Sequence, residues 1–177
     1  MRQLLLLRGI NLGPHRRIAM PALRDVLRDA GFGDVRTYLQ SGNVVLSSDA
    51  APVELAAVCE RLLAERFGHQ VDVLVRTRDE LAAVVERDPL GDVATDPRRH
   101  QVAFLREQPG AELVRALAAL ASPGERLAAA GRELYAWHPD GVARSRVWAR
   151  LASPALGIAA TSRNWTTVTS LLALADS

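Results

Sequence analysis

The chain has 177 residues, 22 basic and 20 acidic, which suits one domain or two small halves and leaves a formal charge of only +2. Hydrophobic residues make up 49% and charged residues 24%, a globular composition that excludes a disordered chain, and no apolar run approaches the roughly 18 residues of a membrane span. Cys59 is the sole cysteine, which excludes an internal disulfide and a cysteine-based metal cluster and makes a cytosolic protein the expectation.

Gln3 to Arg8 is a short apolar run, too short for a helix or a signal-peptide core and suited to a buried strand. Met20 to Ala30 places Leu23, Val26, Leu27 and Ala30 at helical spacing, with Pro21 in the first turn and Gly31 as the stop. Val35 to Gln40 and Val44 to Ser48 read as strands around Ser41-Gly42-Asn43, where glycine tolerates the positive φ of a tight hairpin. Pro52 to Phe67 is an amphipathic helix through Leu55, Cys59, Leu62 and Leu63, and Val71 to Arg76 alternates as a strand. The order β-α-β-β-α-β is that of a ferredoxin-like half. Thr77 and Glu80 then form a capping-box pair ahead of Leu81, Val84 and Val85, which predicts a connecting helix.

Asp88 to Arg99, with two prolines and a glycine, is the expected boundary, and beyond it the pattern begins again. Gln101 to Arg106 reads as a strand, Pro109 to Ala121 as a helix, and two strands flank Gly131-Arg132. Helices follow near Arg144 to Leu151 and Asn164 to Ala175. The reading is an α+β chain of duplicated ferredoxin-like halves, antiparallel sheets covered by helices. Residues 1–88 hold the first half and the connecting helix, and residues 100–177 a second half without a clear fourth strand. Within the first half we expect the first and third strands to run parallel. Asn43 would then lie near Gln3, at the end of the sheet opposite Asn11, and Ser41-Gly42-Asn43 would be a hairpin device.

All 22 basic residues are arginines, which removes every chemistry that needs a lysine, from Schiff bases to a P-loop. The charge is also uneven. Met1 to Arg24 carries five arginines and Gly141 to Ala175 four, with no acid in either segment, so a net −7 falls on the remainder. Two stretches in these basic ends could hold an anion. Arg8-Gly9-Ile10-Asn11-Leu12-Gly13-Pro14-His15-Arg16-Arg17 is longer than the usual 2–6 residues of a strand-to-helix loop, and combines glycines with arginines. It has neither the Walker lysine nor the dinucleotide glycine spacing. Ala160-Thr161-Ser162-Arg163-Asn164-Trp165 offers capping residues ahead of the apolar stripe Val168, Leu171, Leu172, the start of a helix whose dipole would favour an anion.

Other chemistry is sparse. His15, His69, His100 and His138 are dispersed, with no metal-ligand spacing, so no metal is expected. Ser41, Ser145 and Ser162 have no base nearby in sequence, Cys59 falls on an apolar stripe as an inert thiol, and no catalytic residue or cofactor can be named.

With these motifs in view, the chain resembles the bacterial family catalogued as domain of unknown function 1697. The matching stretches are Leu6-Leu7-Arg8-Gly9-Ile10-Asn11-Leu12-Gly13, Thr37 to Val45, Val73 to Thr77, Arg144-Ser145 and Ala160 to Val168. The resemblance implies a duplicated α+β fold and brings no activity with it. Where relatives have Gly-x-Gly-Arg-Ser-Lys, this chain has Gly141-Val142-Ala143-Arg144-Ser145-Arg146. The first functional expectation is a protein or enzyme that binds a phosphate- or carboxylate-bearing small molecule through Arg8, Gly9, Asn11, Gly13, Arg144, Ser145, Arg163 and Asn164. The alternatives are a nucleic-acid-binding module using the two basic segments with Trp148 and Trp165, and an interaction protein without a ligand. Against the nucleic-acid reading, Leu4 to Leu7 and Val44 to Leu46 carry none of the aromatics on which RNA-binding folds of this kind stack bases.

Overall fold

In the computed structural model, which describes residues 1–177, the chain divides into two compact units, Met1–Ala82 with Leu171–Ser177, and Ala83–Ser170. The first unit runs β1 (Arg2–Leu7), α1 (Met20–Asp29), β2 (Gly33–Tyr38), β3 (Asn43–Ser47), α2 (Pro52–Phe67) and β4 (Val73–Thr77). Its four strands lie in the order β2-β3-β1-β4, every neighbour antiparallel. Side chains alternate across a strand, so Leu5 and Leu7, Val44 and Leu46, and Val73 and Val75 share one face. That face meets Leu23 and Leu27 of α1 and Leu55, Cys59 and Leu63 of α2, each set spaced one helical turn apart. Each such leucine taken out of water contributes about 1.5–3 kcal/mol. Leu4, Leu6, Val45 and Leu74, on the opposite face, are buried too. A central strand covered on both faces is a continuous apolar run, as Leu4 to Leu7 is, rather than an alternating one. Cys59 is 1% exposed, and burial, aided by Glu60, pushes its thiol up to about 12, so it is an inert core residue.

The capping box forms as expected. The Thr77 N–H donates to Glu80 Oε2 at 2.8 Å and the Glu80 N–H to Thr77 Oγ1 at 3.1 Å, opening α3 (Arg78–Arg87). The second unit repeats the order with β5 (His100–Leu105), α4 (Ala111–Ala118), β6 (Arg126–Ala130), β7 (Glu133–Trp137), α5 (Arg146–Ala152), a 3-10 turn at Pro154–Leu156 and β8 (Ala160–Asn164), followed by α6 (Trp165–Asp176). The strand order is β6-β7-β5-β8, again antiparallel throughout. Ala103, Leu105 and Leu134 pack against Leu117 of α4, Val147 and Leu151 of α5, and Leu156. Both units are therefore complete α+β halves of ferredoxin-like type. No helix is long and apolar enough to cross a membrane.

Two expectations are corrected. The second half does have a fourth strand: Ala160–Asn164 pairs with β5 from Ala160↔Leu105 to Asn164↔Gln101. Its threonine, serine, arginine and asparagine read as helix-capping residues, yet in the sheet Thr161 and Arg163 are buried with Ala160, a pattern no apolar run announces. The first and third strands are antiparallel, not parallel. β1 and β2, joined through α1, run the same way, so the hairpin that reverses β3 against β2 also reverses it against β1, and Leu6 stands opposite Asn43. The hairpin and the first loop consequently lie at the same end of the sheet.

Candidate functional site

In the first loop, residues 8–19, one side chain makes three of the bonds that hold its shape. Asn11 sits in the left-handed region at φ 55°, a conformation asparagine tolerates better than most residues. Its Nδ2 donates to the Ile18 carbonyl at 2.9 Å and to the Gln40 carbonyl at 2.7 Å, while its Oδ1 accepts the Ile18 N–H at 2.9 Å. The Asn11 N–H donates to the Arg16 carbonyl at 3.2 Å. Asn11 thus closes the loop on itself and ties it to the β2–β3 hairpin. A bond from the Leu7 N–H to the Gly42 carbonyl, 2.9 Å, joins the two segments again. Within the hairpin, Asn43 Nδ2 donates to the Tyr38 carbonyl at 3.0 Å and to Ser41 Oγ at 2.9 Å, the hairpin role expected of it.

An open cleft of about 580 Å³ lies over this junction, lined by Asn11, Leu12, Gly13, Arg17, Ile18, Ala19 and Gln40. Arg17 is on its wall and donates from Nε to the Gly13 carbonyl at 3.2 Å, a bond that uses one of the five guanidinium donors. Ala19 is the N-cap of α1. It has no side chain to satisfy the first N–H groups and the first turn of α1 contains no acid, so the helix's own sequence leaves its positive end without a cap, although Pro21 in that turn offers no N–H. Gly13 has open space where a Cβ would stand, whereas Gly9 needs its freedom at φ 66°.

Four of the eight sequence-predicted residues belong to this unit, and the structure separates their roles. Asn11 and Gly13 line the cleft, and Gly9 shapes the turn into it. Arg8 instead places Nη1 3.3 Å from Asp72 Oδ2 and its N–H on the Asp72 carbonyl. Leu12, Arg17, Ile18, Ala19 and Gln40 line the cleft without being among the expected site residues. Leu12 and Arg17 had a sequence signal as members of the overlong loop, Arg17 also as one of its arginines.

The other four belong to the second unit. Arg144 is exposed. Ser145 caps α5, its Oγ accepting the Trp148 N–H at 3.1 Å, and its hydroxyl also bonds Glu125. Arg163 is on β8, 7% exposed, with Nη1 donating to Thr161 Oγ1 at 2.7 Å and the Ser162 carbonyl at 2.9 Å; burial lowers its guanidinium to about 10, so it stays charged at neutral pH. Asn164 Oδ1 accepts the Thr167 N–H at 2.9 Å and starts α6.

Two buried carboxylate–histidine pairs in the second unit had no signal in sequence spacing. His138, 1% exposed, lies with Nδ1 2.8 Å from Glu125 Oε1, and its ring meets Trp148 edge-on at 5.9 Å. Ser145 and His138 both address Glu125, so the carboxylate is the centre. A serine nucleophile needs the imidazole on its own hydroxyl, and this arrangement is not one. His100, 2% exposed, stacks on Trp165 at 4.5 Å with its Nε2 3.2 Å from Asp88 Oδ1. Burial lowers its pKa below the ordinary value and outweighs the opposing pull of Asp88. A histidine with a depressed folded-state pKa binds its proton first in the unfolded chain. Stability is therefore full above about 6.5 and declines as pH falls below it. Thermal midpoints measured from pH 7.5 to 5 should fall less steeply for His100→Phe, which keeps a ring on Trp165, than for the wild type. Equal slopes would remove His100 from the account.

Two four-stranded antiparallel sheets, each of order 2-3-1-4 with its covering helices, define a tandem ferredoxin-like α+β protein. The family model of a protein of unknown function, DUF1697, matches residues 1–135, and the chain belongs to that family. Among solved structures it is similar to the conserved bacterial protein SP0830 from Streptococcus pneumoniae, at 22% identity and a TM-score of 0.79 over 98% of each chain, a likeness of fold. No curated protein matches it.

Proposed function

We propose that the chain is a cytosolic protein that binds a phosphate- or carboxylate-bearing small molecule in the cleft between the first loop and the β2–β3 hairpin. The observation that carries this reading is the cleft itself, with Arg17 on its wall and the uncapped start of α1 at Ala19. Helix N–H groups and a guanidinium together make an anion site without any lysine. A volume near 580 Å³ falls in the range of small-molecule sites. In the second unit, Arg144 remains the exposed candidate, while Ser145 and Asn164 serve as helix caps. A base-stacking role for the tryptophans is less well supported, because Trp148 and Trp165 pack against His138 and His100 and the central strands are buried on both faces.

The test is calorimetric titration of inorganic phosphate, acetate and adenosine 5′-monophosphate into wild type and Arg17→Ala. A charge-assisted hydrogen bond is worth about 1.5–3 kcal/mol, so Arg17→Ala should weaken phosphate about tenfold or more. Unchanged affinity in the variant would remove the site. Submicromolar oligonucleotide binding that survives 150 mM salt would favour the nucleic-acid reading instead.

A further inference from the structure

We propose that the outer edge of β6 is a self-association surface, where a second copy of this chain adds its own β6 antiparallel about a two-fold axis at Ala128. The two sheets have the edges β2, β4, β6 and β8. An edge strand carries a row of backbone groups able to pair with another chain, and proteins blunt such edges with bulges, charges or side chains that occupy those groups. Three of these edges are blunted in that way. On β2 the register shifts between Gly33 and Arg36, and Arg28 Nη2 donates to the Val35 carbonyl at 3.2 Å. On β4 the Val73 N–H donates to Glu60 Oε1 at 2.9 Å, the Val75 carbonyl accepts from Arg76 Nη1 at 3.0 Å, and Glu80 takes the Thr77 N–H. On β8 the Ser162 carbonyl accepts from Arg163 Nη1 at 2.9 Å.

β6 carries none of these devices. The Leu105 N–H donates to the Arg132 carbonyl, so Leu134 and Ala136 bond to β5, while Glu133, Tyr135 and Trp137 bond to β6. Arg126, Ala128 and Ala130 therefore direct their backbone groups to β7. Leu127 and Ala129 turn an N–H and a carbonyl outward, and no side chain bonds to them. Ala129 is exposed, and Leu127 to Ala130 contain no proline, no charge and no register shift.

The arrangement of these open groups selects the occupant. Before them, the Glu125 N–H donates to the Ser122 carbonyl at 3.0 Å and the Glu125 carbonyl accepts from Arg126 Nη1 at 2.9 Å. After them, Gly131 at φ 61° turns the chain back into β7. The open ladder is thus short and centred on Ala128. A second β6 matches it at both ends, whereas a longer strand would overrun it. About a two-fold axis at Ala128, the Leu127 N–H and carbonyl meet the carbonyl and N–H of Ala129 in the other copy, and symmetry repeats the exchange. In this register Arg126 faces Ala130 and Arg132 faces Gly124, so no like charges stand opposite each other. Leu127 of each copy lies across from Ala129 of the other, and the axis itself holds only the two Ala128 methyl groups.

The experiment is analytical ultracentrifugation of the full chain over a concentration series, followed by cross-linking. A junction of two short strands is a small interface, so wild type should dimerise with a Kd on the order of 100 µM. Ala129→Pro removes an N–H that the fold does not use, and symmetry doubles the loss, so the Kd should rise about tenfold or more. Ala129→Lys keeps every backbone group and sets a charge against Leu127 of the second copy. It should weaken the dimer likewise, and it decides the matter if the proline disturbs the fold. Ala128→Cys should cross-link to its own copy under mild oxidation, because Cα atoms of such a directly opposed pair stand about 4.5 Å apart, within disulfide reach. Ala130→Cys, displaced along the strand from its own counterpart, should not, and Cys59 is too deeply buried to take part. A wild type that stays monomeric at about ten times the expected Kd overturns the proposal and leaves the edge to a strand of some other chain. A dimer unmoved by both Ala129 variants, or cross-linking at 130 as ready as at 128, overturns it too.

Discussion

Replacing Gly42 by alanine should lower the thermal midpoint by about 10 °C, through two costs that add at one atom. Gly42 has φ 78°, in the left-handed region that an alanine enters at about 1–2 kcal/mol. A Cβ built there would stand 2.6 Å from Leu7 Cβ and 2.8 Å from Ile10 Cδ1. Leu7 and Ile10 are each 1% exposed, so neither can swing into solvent, and overpacking of this kind costs about 1–3 kcal/mol. Together these come to about 3 kcal/mol, and a chain of this size loses about 2–4 °C per kcal/mol. Gly13→Ala is the matched control, since its Cβ meets open space and its φ is not positive. It should shift the midpoint by no more than about 2 °C. Equal effects from the two substitutions would mean that the hairpin relaxes away from Leu7 and Ile10 at little cost.

Glu125→Ala is expected to cost a similar amount in the second unit. The Glu125 side chain is 8% exposed and gathers three donors: His138 Nδ1 at 2.8 Å, the Ser122 N–H at 2.8 Å and the Ser145 hydroxyl. Burial alone would raise its pKa, but the bonds from Ser145, His138 and Ser122 outweigh it and hold the carboxyl below its ordinary range. Truncation lets the exposed Ser122 N–H turn to water but strands the donors on His138 and Ser145, at about 1–3 kcal/mol for each one left buried without an acceptor. A loss of about 3 kcal/mol or more is expected at pH 7, seen as a fall of about 10 °C in the midpoint and a change in Trp148 emission. Glu125→Gln, which keeps the shape and one acceptor oxygen, should lose less than half as much. Because the folded-state pKa is depressed, the carboxylate's contribution is full above its ordinary value of 4.5, fades below it and is lost as pH falls through the lower folded-state value, so the gap between wild type and Glu125→Ala should narrow in acid. A midpoint unchanged in Glu125→Ala would show that water replaces the carboxylate without loss.

The elements that could be read from sequence are those in which local chemistry and tertiary demand agree. Thr77 and Glu80 signal their helix through backbone bonds they make to each other, and Leu23 and Leu27 signal theirs through spacing that also fills the core. β8 was missed because its residues are individually suited to capping, and only pairing with β5 makes a strand of them. The site was half legible. An overlong loop with arginines identified where to look, and Asn11 was named, although as a ligand contact rather than the clamp it is. The supposed parallel pairing of β1 and β3 put Asn43 and its hairpin at the far end of the sheet, so the hairpin's share in the cleft through Gln40 was not foreseen. The buried pairs Asp88–His100 and Glu125–His138 could not be seen at all. Their members are 12 and 13 residues apart, a separation that carries no periodic signal.

The first unit is discontinuous, for its residues 1–82 are completed by Leu171–Ser177 after the whole of the second unit has intervened. Arg78 Nε reaches Asp176 Oδ1 at 2.6 Å, and Arg36 Nη1 reaches Ser177 Oγ at 2.7 Å. Residues 83–170 are contiguous and can fold as one stretch, whereas the first unit draws on both sides of it, so its full set of contacts forms only once Leu171–Ser177 is present.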